Sequence, residues 1–187
     1  MPDYLRAGGR VAIDSTGTPF GPHHGGRYTV AYDRYSDFGQ QLSSFVRWEV
    51  DLRQYIPVLG STRTLAVRGQ LVSLVPVTGD SVPFYMQPTL GGPDSLRGLR
   101  PYRLRDQSLL LLQSEYRWAA NAFLSGVIFY EAGTVARRVG QFRLDDMVQD
   151  FGAGLRFGFL STVSLRVEAA FGSGEGAVVI FRFSDAF

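Results

Sequence analysis

The chain contains no cysteine and only two histidines among its 187 residues. Disulfides and thiolate metal centres are therefore excluded. His23 and His24 sit side by side in the glycine- and proline-flanked stretch Gly21–Gly26, with no third ligand beside them, so a turn is expected there and no metal site. There is no run of about 18 apolar residues, which rules out a membrane-spanning helix. It does not rule out barrel strands, which need only about ten alternating residues each. Excess charge is also missing: the formal net charge is +2 with the arginines spread along the chain, so nucleic acid is not an expected partner. Met1–Arg6 has no apolar core behind its positive charge and is not a signal peptide. It enters a strand almost at once, as a piece of something longer would. No serine sits in a Gly-x-Ser-x-Gly elbow, and Gly91–Gly98 lacks the lysine and Ser/Thr of a phosphate-binding loop. Neither an enzyme nor a cofactor is expected.

Glycine (22 residues), phenylalanine (14) and tyrosine (9) are abundant, and the hydrophobic period is two nearly everywhere. Strands are predicted at Arg10–Ser15, Arg27–Asp33, Leu42–Arg53, Thr62–Val75, Ser108–Trp118, Phe123–Gly133, Asp150–Phe159, Val163–Phe171 and Ala177–Phe187. In Leu42–Arg53, Val46, Trp48, Val50 and Leu52 alternate with Phe45, Arg47, Glu49, Asp51 and Arg53. These segments give about nine strands, all-β, with no domain break, repeat or low-complexity linker.

Alternation does not say which face is inside, since a soluble barrel would bury the apolar face and a membrane barrel turns it to lipid. Three features favour lipid. The apolar faces are unbroken, with aromatics (Trp48, Tyr116, Trp118, Phe159) near strand ends. The polar faces mix glycine with both signs of charge, as a crowded lumen does. Tight turns at Asn121–Ala122 and Leu160–Thr162 contrast with long loops at Val77–Gln107 and Ala136–Met147, the asymmetry of outer-membrane barrels. Asp145 and Asp146 fall in the second long loop and read as a solvated face.

The most informative stretch is Leu90–Tyr102, a glycine- and proline-punctuated loop carrying Arg97 and Arg100. By parity Glu115, Arg117, Phe129 and Glu131 on the next two strands face the polar interior. Carboxylates in a partly dehydrated lumen are costly unless paired, and an arginine fork suits them. Arg97 delivered by the loop is one candidate partner. The other reading leaves the loop outside and pairs the glutamates with wall arginines such as Arg117 and Arg156.

Several of these segments together resemble the Omp85 superfamily of outer-membrane proteins. Leu90–Arg97 followed by Gly98 is similar to the family's interior loop, whose motif is an aliphatic residue, arginine, glycine and an aromatic. Ser114–Trp118 looks like its glutamate-bearing strand, Phe129–Gly133 like its Phe-x-Asp-x-Gly strand, and Gly152–Arg156 and the terminal Phe187 are similar too. Leu99 stands where the family has an aromatic, for which Tyr102 is a candidate substitute, and Glu131 stands for the usual Asp.

The resemblance implies a transmembrane antiparallel β-barrel of about eight to nine strands over residues 1–187, the C-terminal part of an Omp85-type barrel, with no POTRA domain. It implies a latch of Arg97 and Gly98 against Glu131, with Glu115 nearby, and an assembly signal in Phe181, Phe183 and Phe187. The implied partners are the lipid bilayer, unfolded outer-membrane or secreted polypeptides and the outer-membrane assembly machinery, and the implied location is the bacterial outer membrane. The implied role is insertion or translocation of polypeptides, without covalent chemistry. The alternatives are a passive pore tuned by the Arg47–Arg53 ladder and the membrane anchor of a larger, patatin-like protein.

Overall fold

The computed structural model describes residues 3–17, 22–39, 43–60, 62–77, 79–121, 123–160, 163–172 and 174–183. The alternating segments form strands β1 (Tyr4–Asp14), β2 (Gly25–Asp37), β3 (Phe45–Pro57), β4 (Arg63–Pro76), β5 (Thr89–Leu90), β6 (Leu104–Arg105), β7 (Ser108–Ala119), β8 (Leu124–Ala136), β9 (Val148–Leu160), β10 (Val163–Gly172) and β11 (Val178–Phe183). All but β5 and β6 join one antiparallel nine-stranded sheet in the order β1-β2-β3-β4-β7-β8-β9-β10-β11. β1 and β11 are its edges, and no pairing joins them among the described residues.

The predicted strands are all present, with shifted ends. β1 starts at Tyr4 and not at Arg10, because Gly8 and Gly9 blank out the alternation. Gly8 is required by close approach: a Cβ there would lie 2.2 Å from the carbonyl oxygen of Tyr32. The strand expected from Leu42 begins at Phe45, and Leu42 itself lies outside the described residues. The long loop after β8 holds two short 3-10 turns, Val139–Gln141 and Leu144–Asp146.

Cross-strand register fixes the faces. Arg47, Glu49, Asp51 and Arg53 on β3 lie opposite Leu74, Val72, Gln70 and Arg68 on β4, all on the concave side. Val30, Trp48, Leu112, Ile128, Phe151 and Phe181 project from the convex side and stay exposed. A continuous exposed apolar band of this kind marks a lipid-facing wall. No helix among the described residues is long and apolar enough to cross a membrane.

Inside the curve, the segment between β4 and β7 folds back onto the wall. Val82, Leu90, Leu96 and Leu99 from this segment pack against Phe45, Val72, Leu74, Leu109 and Leu111 of the strands. Burial of each such side chain contributes about 1.5–3 kcal/mol. Leu99 therefore holds the loop by aliphatic packing where an aromatic was expected. Tyr102 does not substitute for that aromatic, because it is 71% exposed in a left-handed turn.

Candidate functional site: the tip of the interior loop

The loop is a narrow hairpin. β5 and β6 pair Thr89 with Arg105 and Leu90 with Leu104, and the tip runs from Gly91 to Arg103. Gly91 opens it at φ 112°, where a Cβ would collide with the carbonyl oxygen of Arg100 at 2.1 Å. The Gly92 amide donates to the carbonyls of both Leu96 and Leu99, and the Ser95 hydroxyl accepts from the Gly91 amide. The tip is thus held by bonds among its own residues as well as by the wall.

Arg97 is fully buried, as are Glu115, Glu131 and Glu168. Its Nε donates to Glu131 Oε1 at 2.8 Å, and its backbone N–H donates to Glu131 Oε2 at 2.8 Å. Nη2 lies 2.7 Å from Glu115 Oε1, and Nη1 donates to Glu168 Oε2 at 2.9 Å. The Phe129 ring covers the guanidinium, with Cζ 3.5 Å from the ring centroid, a cation–π contact in a dry setting. One planar fork thus meets carboxylates from β7, β8 and β10 at once. A point-charge ammonium could not reproduce that geometry. All 19 basic residues of the chain are arginine.

The loop lies inside, against the reading that leaves it outside, yet the wall arginines of that reading also pair with the glutamates. Glu115 Oε2 also accepts from Arg117 Nε at 2.7 Å and from Arg156 Nη2 at 2.8 Å. Glu168 is bound by Arg166 at 2.8 Å. Three carboxylates in a dry interior would be prohibitively costly alone, and four arginines around them offset that desolvation.

Sequence reasoning had singled out Arg97, Gly98, Glu131 and Glu115, and the structure brings these four to one place. It missed Glu168, Asp150, Gln113, Arg68 and the role of Phe129. The Gly98 amide donates to Asp150 Oδ2 at 2.8 Å, and a Cβ on Gly98 would sit 2.8 Å from Asp150 Cβ. Gln113 donates to Glu131 Oε1 at 2.6 Å and to the Ser95 carbonyl at 2.8 Å. Arg68, paired with Asp51 at 2.8 Å, donates to the Asp94 carbonyl at 3.2 Å. Each lies on an inward parity position, so alternation marked its face; which face positions meet across the curve was not visible from spacing. Room for these groups comes from β9, where a Cβ at Gly152 would strike the Phe129 ring and one at Gly154 would strike Glu168 Cγ.

Outside the wall strands, Glu175 in the β10–β11 turn accepts from the Arg100 amide at 2.9 Å and from Arg103 Nε at 2.9 Å. The Arg100 backbone hydrogen bond, together with the Arg103 and Arg100 side chains, holds the Glu175 carboxyl below the usual carboxylate range. Among the exterior candidates, Phe181 and Phe183 lie exposed on the convex face, and Phe187 lies outside the described residues. Among the described residues no cluster of His, Asp or Glu is arranged to hold a metal ion.

The Omp85 superfamily domain model matches residues 3–183. The chain belongs to the Omp85 superfamily. Its fold is that of a solved family member, BamA from Haemophilus ducreyi lacking POTRA domains 1–3, with a TM-score of 0.76 at 16% sequence identity. The match covers 94% of this chain and 41% of that one, so this chain spans less than half the length of the BamA structure it resembles. No curated protein sequence matches it.

Proposed function

We propose that this chain is the C-terminal barrel portion of an Omp85 protein that inserts or translocates polypeptides in the bacterial outer membrane. In this reading the Arg97 cluster is a latch that holds the loop inside the barrel and performs no reaction. The observation that carries the reading is the fully buried Arg97, hydrogen-bonded to Glu131 and Glu168 and ion-paired with Glu115, carboxylates from three different wall strands. A passive channel needs an open lumen, and here the lumen side is filled by loop side chains packed on Leu74, Leu109 and Leu111. Clients and assembly partners would meet the edge strand β11 and the bilayer around the sheet.

The test uses the full-length protein in its native membrane. Arg97→Ala removes one member of a buried charge cluster, a change that typically costs about 3–5 kcal/mol. Expected is a tenfold or greater fall in client assembly at unchanged levels of the variant in the membrane, with a rise in single-channel conductance. Normal client assembly in that variant, or large conductance already present in the unmodified protein, would overturn the reading.

A further inference from the structure

Arg182 on β11 faces the lumen directly opposite Arg166 on β10. Like charges at opposed positions repel, and β11 is an edge strand with a neighbour on one side only. Arg166 is neutralised by Glu168 on its own strand. The ion partner of Arg182 comes instead from the loop: its Nη1 bonds Asp94 Oδ1. The backbone carbonyl of the same Asp94 accepts from Arg68 on β4. Between β4 and β11 lie β7, β8, β9 and β10, so one loop residue spans the arc from its inner strand to its edge as a chord does. A second contact in the same direction is made by Glu175, which draws the β10–β11 turn onto Arg100 and Arg103.

We propose that Asp94 and Arg182 form a second catch, distinct from the Arg97 latch, which sets the position of the edge strand β11 relative to the interior loop. An isolated exposed ion pair contributes little, because ordering two side chains offsets its Coulomb energy. This pair differs in that Asp94 stands three residues from Arg97, which bonds both Glu168 and Glu131, so the loop side is already ordered. The catch therefore acts on β11. It is a positioning device and rests on the reading of this barrel as one whose edge engages clients.

The test combines Asp94→Arg, Arg182→Asp and the double charge reversal in the full-length protein, reconstituted in phospholipid vesicles. Hydrogen exchange of the β11 amides is read beside client assembly in cells. Each single reversal is expected to raise β11 exchange at least fivefold while β7 and β8 stay protected, and the double reversal is expected to restore protection. Unchanged exchange in the single variants, or loss that the double reversal does not repair, overturns the catch. Restored exchange with client assembly unaffected throughout leaves the catch standing and overturns the insertion reading instead.

Discussion

At the scale of single residues, the site depends on shapes that leave little latitude. Gly98 approaches Asp150 so closely that even a methyl group would meet Asp150 Cβ at 2.8 Å. Gly98→Ala must push the tip off the wall, stretching the 2.8 Å amide contact to Asp150 and straining the Arg97 fork beside it. Overpacking of this kind costs about 1–3 kcal/mol. The expected outcome is a lower unfolding temperature in a heat-dependent gel-mobility shift, with Gly140→Ala unaffected because nothing lies within 4 Å of its added methyl. Leu99 illustrates the opposite freedom. It is buried in a mostly aliphatic cluster with Leu90, Leu96, Leu111 and Phe45, so a branched side chain serves where an aromatic was expected.

At the scale of elements, the β10–β11 hairpin joins the loop through a titratable group. The carboxyl of Glu175 is held below its usual value, so the folded form binds its proton less readily than the unfolded chain does. Its contribution is complete above the ordinary glutamate range near about pH 4.3 and is lost as pH falls through the depressed value. Exchange protection of the hairpin should therefore hold from neutral pH to about 5 and decline below about 4, and Glu175→Gln should remove that decline. The elements themselves were largely legible in the sequence, because alternation writes both strand and face into neighbouring residues. Tyr4–Gly9 was not, since two glycines erase the pattern that pairing with β2 supplies. Glu168 and Asp150 were visible as inward residues, yet their meeting with a loop 71 and 52 positions away depends on curvature that no local period records.

At the scale of the whole molecule, the fastenings of the loop differ in depth. Arg97, Glu115, Glu131 and Glu168 are sealed from water, whereas the Arg103–Glu175 and Arg182–Asp94 pairs are partly exposed. Raising salt from about 0.1 M to 1 M shortens the screening length from about 10 Å to about 3 Å and acts on exposed pairs far more than on buried ones. Exchange at residues 99–103 and in the hairpin should rise with salt while residues 96–98 stay protected; equal release of both would contradict this layering. The sequence distances of these bonds carry a further meaning. From the loop tip, its partners on β7, β8, β9, β10 and β11 stand 18, 34, 52, 71 and 88 residues downstream. Synthesis delivers the tip first and each wall strand afterwards, in the same order in which they stand around the curve. A strand that slipped by one residue would turn its inward group outward and miss its bond. The tip is thus a ruler laid down before the strands it measures, and each arriving strand can be checked against it in turn.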